Sequence, residues 1–565
     1  MSHVRFQLGT LVSQVDASVQ EFHSAQIISR IWKKDHSIWR TEDVHKKSIL
    51  NRLGWLHSVE LMQRHISELR AFAEEIKVDG FKHAVVLGMG GSSLCPDVCR
   101  ATFGAKKGYP ELLVLDSTNP VSVRRIEDAI DLERTLFVVA SKSGGTTETK
   151  MFYKYFYDKV ERKKGKAGQH FIAVTDAGTP MEEEAKLKKF RKIFLNPEDI
   201  GGRYSALSYF GVVPMALCGM DIGRILGSAA AMAEASRSPV LEKNSAAMMG
   251  IVMGEAWSAG RDKLTFVGSK GVETFGYWAE QLVAESTGKE GKGIVPVEGE
   301  SLRGDYSKDR FFVFMRLRSD DSLAAFRQGV EAKGYPVVEI VLDDTYDLGG
   351  EFFRWEFATA VAAVVMNINP FDEPNVKESK DNTNRVIDEF RESGMLPTQD
   401  LGAEEEGSKI FSETSYRERL LQGTAALSFN GMIRSHVDQS VAGDYIAVLA
   451  YIDQNEDNFQ KLQQLRQAIL ARTQRPTTIG FGPRYLHSTG QLHKGGPPKG
   501  IFVIITADEP ADEKIPGEPF TFEVLKQAQA IGDYQSLASR SLRVVRVHFK
   551  KNIGEGLTRL AAAFS

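Results

Sequence analysis

The sequence predicts an α/β protein built on two doubly wound parallel sheets, with a helical collar at the N-terminus and a small third α/β unit at the C-terminus. Three observations predict it. Short apolar runs rich in β-branched residues alternate with helical patterns from residue 83 onward. Two of these runs end in loops of glycine and hydroxyl residues, and the alternation begins again near residues 263 and 444. At 565 residues the chain is too long for one core, which sets an expectation of roughly three or four domains.

Residues 1–80 place apolar side chains at helical spacing, among them Val12, Val15, Val19 and Phe22, then Leu61, Ile66, Leu69, Phe72 and Ile76. That spacing predicts helices packed as a collar on the first sheet unit. Strands are expected over HAVVLG from residue 83, LLVLDS (112–117), the run ending at residue 140, and HFIAVTD (170–176). A second set follows: KLTFVGSK (263–270), the helix GVETFGYWAEQLVAES (271–286), FFVFMRLR (311–318) and YPVVEIVLDD (335–344). The acidic, glycine-containing stretch LGAEEEGSKIFSE (401–413) reads as a linker or excursion. Beyond it, two strands, a helix between them, and a second strand–helix–strand set give a β-α-β-β-α-β order, read as a split βαβ unit. The expected boundaries are a helical segment 1–60, sheet units 61–240 and 241–400, a linker 401–440, and a C-terminal unit 441–565.

Composition narrows the function class. Hydrophobic content of 42% and charged content of 26% are those of an ordinary globular protein. A net charge of −3 gives no reason to expect nucleic acid or an anionic membrane as partner. The first 22 residues lack an unbroken apolar core and are not expected to be a signal peptide, and no run of about 18 apolar residues predicts a spanning helix. Three cysteines, Cys95, Cys99 and Cys218, predict a reducing compartment, the cytoplasm, and their spacing predicts no zinc site.

The loop Ser141-Lys142-Ser143-Gly144-Gly145-Thr146-Thr147 between a strand and a helix carries the strongest chemical signal. Hydroxyls beside free N–H groups at a helix N-terminus hold a phosphate monoester, with Lys142 as a phosphate or surface lysine. Capping the helix would need one hydroxyl, and the loop offers several. The earlier loop, Gly88-Met89-Gly90-Gly91-Ser92-Ser93, fails the dinucleotide fingerprint at Ser93 and lacks the lysine of a Walker loop. Gly91 and Ser92 instead form a wall for a sugar or phosphate. In the later helix, Gln281 and Glu285 stand four residues apart on one face, before a glycine-rich exit.

Four phrases in this order, GMGGSSLCPDV, SKSGGTTET, NPEDIGGRYSALSYFGVVP (196–214) and QLVAESTGKEGKGIVP (281–296), resemble the glucose-6-phosphate isomerase family, whose fold is two sugar-isomerase (SIS) domains facing one site. The resemblance spans roughly residues 30–550. GPRYLHSTGQLHKGG (482–496) and NPFDEPNVKESKDNT (369–383) resemble the isomerase half of bacterial transaldolase–isomerase fusions. A stand-alone relative or one half of such a fusion is expected, with a homodimer and association with a transaldolase activity as further expectations.

The resemblance implies an aldose–ketose isomerase of sugar phosphates that needs no cofactor or metal. It assigns proton transfer between C1 and C2 to Glu285, charge stabilisation to Arg203, and ring opening to His487 with Lys380. Substrate contacts fall to Gly91, Ser92, Ser141, Lys142, Ser143, Thr146 and Gln281. His493 reads as a second-shell or surface residue, and Lys289 as a phosphate or surface lysine. Two departures stand out: the chain order is Glu285, Lys380, His487 rather than the family's glutamate, histidine, lysine, and Glu373 replaces a family glutamine seven residues before the lysine. Use of mannose 6-phosphate as well, a non-catalytic sugar-phosphate sensor and a nucleotide-dependent dehydrogenase are the alternatives; Glu285 disfavours the sensor, and Ser93 the dehydrogenase.

Overall fold

A computed structural model of the chain describes residues 2–421, 428–550 and 552–564. The chain opens with strand β1 (His3–Gln7), followed by the helices Val12–Ser24 and Ser58–Val78. Five strands then make the first sheet: β2 (His83–Gly88), β3 (Glu111–Leu115), β4 (Thr135–Ala140), β5 (Phe171–Asp176) and β6 (Lys192–Asn196). All run parallel in the order β3-β2-β4-β5-β6. Its central strands β4 and β5 are buried along their whole length, as expected of a parallel sheet covered by helices on both faces.

The second sheet holds β7 (Lys263–Gly268), β8 (Val295–Val297), β9 (Arg310–Leu317) and β10 (Val337–Leu342). Its order is β1-β10-β9-β7-β8, with β1 antiparallel to β10 at the edge. The first residues therefore complete the second sheet, and the helix Val12–Ser24 packs on the helix Ser245–Ser258 of the same unit. The expected collar holds for the helix Ser58–Val78, whose Phe72 packs on Phe194 of β6, and is corrected for residues 2–24, which belong to the second unit. The strand His3–Gln7 is too short, and too mixed in polarity, to announce itself apart from its partner.

The stretch read as a linker is ordered structure: β11 (Leu401–Glu405) and β12 (Ser408–Phe411) form a hairpin, followed by the helices Thr414–Leu421 and Phe429–Asp438. The hairpin extends a third sheet with β13 (Tyr445–Tyr451), β14 (Thr477–Phe481), β15 (Gly500–Ala507) and β16 (Arg543–Phe549). Its order is β11-β12-β16-β15-β13-β14, with β12 antiparallel to β16. The element order β-α-β-β-α-β is as read, but β13 to β16 are all parallel, so the unit is not a split βαβ. Returning parallel from β14 to β15 requires a crossover, and residues 482–499 supply it with a 3-10 turn at Arg484–His487 and the short helix Gly490–Gly495.

Within each sheet the four core strands share one spatial order: second, first, third, fourth. In such sheets the strand order reverses between the first and third strands, and a crevice opens at their carboxyl ends. In the first sheet those strands are β2 and β4, which end in the two glycine-bearing loops.

The tightest junction is at the first of these loops. A β-carbon on Gly91 would lie 1.9 Å from the carbonyl oxygen of Gly202, and one on Gly90 (φ +54°) would lie 2.7 Å from that of His487. Gly91→Ala is expected to cost about 1–3 kcal/mol through overpacking and to lower the thermal midpoint. Gly227→Ala, on the exposed face of the helix Ile222–Ala235 with no atom within 4 Å of the new carbon, is expected to raise it through helix propensity, worth about 0.5–1 kcal/mol. Differential scanning calorimetry of both variants checks the pair.

Candidate active site

β4 ends at Ala140, and the next residues turn into the helix Thr147–Lys164. Thr146 stands at the N-cap yet makes no side-chain capping bond; its Oγ1 pairs with Ser141 Oγ at 3.0 Å. The first-turn N–H groups, which no helical carbonyl can reach, open with Ser143 and Thr146 onto a cleft of about 380 Å³. Ser141 lies buried beneath the turn. Lys142 is not brought into the cleft: its ammonium pairs with Asp176 at the end of β5 and donates to the Glu198 carbonyl at 2.9 Å. The loop therefore offers neutral donors.

Opposite stands the helix Phe275–Thr287, which follows β7. Gln281 Nε2 donates to Glu285 Oε2 at 3.2 Å and to the His487 carbonyl at 2.8 Å, tying the helix to the crossover segment of the third unit. Glu285 Oε1 lies 3.0 Å from Arg203 Nη1. Arg203, only 3% exposed, is held on every side: Nε donates to Ser286 Oγ, and Nη2 donates to the carbonyls of Pro370 and Asp372 at 2.7 and 2.9 Å. Nη1 also reaches Glu373 Oε2 at 3.2 Å. Burial pushes the Glu285 carboxyl above its ordinary range, with the Glu373 charge adding to that push; Arg203 and the Gln281 hydrogen bond oppose it. Gly91 touches this group through Gly202, while Ser92 sits half-buried on the same turn.

His487 enters from the third unit, its Nε2 3.0 Å from Glu148 Oε1. Glu148 is the second residue of the phosphate-loop helix and also accepts from Gln529 Nε2 at 2.7 Å, whose own Oε1 accepts from Thr118 at 2.6 Å. The segment carrying His487 is pinned on both flanks. Arg484 makes a two-pronged contact with Asp116 at 2.7 and 3.0 Å, and Tyr485 and Lys494 both bind the buried Asp533. Asp116, which by position imitates a ribose-binding acid, is thus used to hold the histidine loop. Lys380, exposed on the helix Val376–Ser393, lines the cleft with Glu373, His487 and Gln529.

Besides Lys142, two placements differ from expectation. His493 is core, packed on Tyr445, Tyr485 and Phe502, and burial holds its imidazole down at about 3. Lys289 is no surface lysine: it is 1% exposed and donates to Asp372. Burial and the Arg203 charge bring its ammonium down to about 8 against the pull of Asp372. Glu148 and Gln529 went unread in the sequence. Glu148 stands in the phrase SKSGGTTET itself, but only the third unit shows what it faces.

Residues 58–298 match the family model described as phosphoglucose isomerase. A probable glucose-6-phosphate isomerase of Methanococcus maripaludis is 26% identical over 53% of this chain and 77% of its own length. A glucose-6-phosphate isomerase of Prochlorococcus marinus is 27% identical over 58% and 72%. Residues 58–298 are a phosphoglucose isomerase family domain by the family-model match. The chain's fold is shared with a hypothetical protein from Thermus thermophilus (TM-score 0.57, 22% identity, covering 69% of this chain and 100% of that one). A glucose-6-phosphate isomerase from Chlamydia trachomatis superposes with a TM-score of 0.51 at 20% identity, over 65% of this chain and 78% of that one. The family match ends before Glu373, Lys380 and His487, so their placement comes from the geometry of this chain.

That geometry can supply a proton and remove one. Burial lowers the basicity of His487, but Glu148 outweighs it and raises the imidazole above its ordinary range. A protonated His487 can donate to a ring oxygen at neutral pH. Removing the Glu148 charge must lower its basicity, so Glu148→Gln is expected to move the basic limb of kcat/KM on a cyclic sugar phosphate to lower pH. The loss of rate is expected to stay within the roughly 10²–10⁴ that a general acid supplies. A pH–rate series on the variant reads both.

Proposed function

We propose that the cleft interconverts glucose 6-phosphate and fructose 6-phosphate through an enediolate. The observation that carries this reading is the Gln281 amide, which joins the Glu285 carboxylate to the His487 segment, while His487 itself lines the cleft that takes in the hydroxyl loop. The phosphate monoester sits against Ser143, Thr146 and the N–H groups of the following helix, where neutral donors and the helix terminus favour an anion. Ring opening falls to His487, protonated at the ring oxygen with Glu148 behind it, together with Lys380 on the opposite wall.

Glu285 then takes the proton from C2 and returns it to C1, since the two carbons are adjacent and one face of a cis-enediol can reach one carboxylate. Its raised basicity suits a base at neutral pH. When Glu285 becomes neutral, Arg203 Nη1 loses one of its carboxylates and turns its charge to the developing oxyanion. Arginine stays protonated throughout and cannot act as a competing acid. We place the enzyme in the cytoplasm, on the three free and buried thiols Cys95, Cys99 and Cys218.

Glu285→Gln keeps the side chain's size and its contact with Gln281 but cannot accept a proton. It is expected to lower kcat by roughly 10²–10⁴, with the KM for fructose 6-phosphate changed far less. Exchange of solvent deuterium into C2 of glucose 6-phosphate should vanish in step with turnover. Near-normal exchange in the variant would assign the base to another residue.

A further inference from the structure

The loop that follows the helix Leu348–Met366 wraps the Arg203 guanidinium with two carbonyls and one carboxylate, that of Glu373. The Glu373 side chain is 37% exposed and lines the cleft, yet its Oε2 lies on the same Nη1 that holds the Glu285 base, at 3.2 against 3.0 Å. One N–H edge thus serves two carboxylates. We propose that Glu373 is a positioning residue for proton transfer: by sharing Arg203 with Glu285 it fixes the guanidinium plane and keeps Glu285 a stronger base than an exclusive Arg203–Glu285 pair would leave it. The inference rests on the isomerase reading above.

The charges around Glu285 support it. Arg203 faces it from the turn Gly202–Tyr204, Glu373 from the loop, Lys289 from beyond its own helix, and His487 from the third unit. Asp372 lies behind Lys289. Beside the His487–Glu148 pair, with Lys380 exposed further out on the cleft wall and His45 against Asp372, the group nearest Glu285 holds two cations, Arg203 and Lys289, against three carboxylates, Glu285, Glu373 and Asp372. The excess is negative, and it is relieved when Glu285 takes up a proton. Like charges sharing one buried site favour protonation of one of them. A glutamine at 373 keeps an acceptor for Nη1 and removes the charge. Arg203 would then neutralise Glu285 alone, leaving a weaker base, and the arginine would be freer to meet the enediolate.

The test is the pH dependence of kcat/KM for glucose 6-phosphate in wild type and Glu373→Gln. The acidic limb, where Glu285 must shed its proton, is expected to move to lower pH in the variant. Below the wild-type limb the variant is then the faster enzyme, and above it the slower. Glu373→Ala should move the limb in the same direction, because the charge rather than the amide matters. An unmoved limb, or an equal loss at every pH, overturns the inference and leaves Glu373 a structural contact. Infrared difference titration of the carboxylates, wild type minus Glu285→Gln and Glu373→Gln minus the double variant, reads the Glu285 midpoint without turnover. It should fall when Glu373 is replaced, and an unchanged midpoint overturns the inference. Wild-type protein inactive on glucose 6-phosphate at every pH would instead count against the isomerase reading, and the infrared midpoints then decide the present inference by themselves.

Discussion

Two missing β-carbons hold this site together. Gly90 and Gly91 let the first glycine loop close to within contact of Gly202, Gln281 and the His487 backbone, three segments drawn from three different parts of the chain. Any side chain at Gly91 would occupy the place of the Gly202 carbonyl, and Arg203 follows directly after it. The position of the arginine is therefore set by backbone against backbone, which is stiffer than any side-chain contact. From there the order passes outward: Arg203 to Glu285, Glu285 to Gln281, Gln281 back to His487.

Electrostatics then decides what the assembled residues can do. A guanidinium 3% exposed has lost nearly all of its hydration, and removing one partner from such a group leaves an uncompensated buried charge. Here the compensation is spread over two carboxylates, two carbonyls and a hydroxyl, so no single partner is indispensable to its solvation. In the proposed reaction, that redundancy lets Glu285 be protonated without stranding the arginine. Lys289 has less to set against its burial: Asp372 is its hydrogen-bonded carboxylate, Glu373 adds at longer range, and with Arg203 nearby its ammonium is correspondingly less basic.

Much of this was legible in the sequence, for physical reasons that can be named. Buried parallel strands are continuous apolar runs, so β2 to β5, β7, β9, β10 and β13 to β16 stood out within a residue or two at each end. The strands that went unread, β1, β6, β8, β11 and β12, sit at or next to sheet edges or are only three to five residues long, where partial exposure mixes the pattern. Strand direction left no mark in the third unit, because an apolar run reads the same in parallel and antiparallel pairing. At the site, Glu285, Arg203 and the hydroxyl loop lie within phrases that carry their own context. Glu148 and Gln529 acquire meaning only through contacts across 339 and 381 residues of sequence. The position of Lys142 could not be read either, because Asp176, which takes its ammonium, lies at the end of the neighbouring strand.

The altered chain order of the glutamate, lysine and histidine has a simple origin in this topology. Three of the functional segments leave the carboxyl end of a parallel strand: the hydroxyl loop follows β4, the Glu285 helix follows β7, and the His487 segment follows β14. Where several such ends face one crevice, a residue can be delivered from any of them, and sequence order ceases to constrain function. What the delivering segment must have is stiffness, since an acid misplaced by an ångström loses its effect. The third unit provides it by an ion pair on one side and by a buried ion pair with a hydrogen bond on the other. Arg484 is fastened to Asp116 of the first sheet, while Tyr485 and Lys494 are fastened to Asp533, which is wholly buried in the helix Phe522–Ala538. The same helix carries Gln529 to Glu148, so a single rigid element both braces the loop that presents the imidazole and orients the carboxylate that raises its basicity.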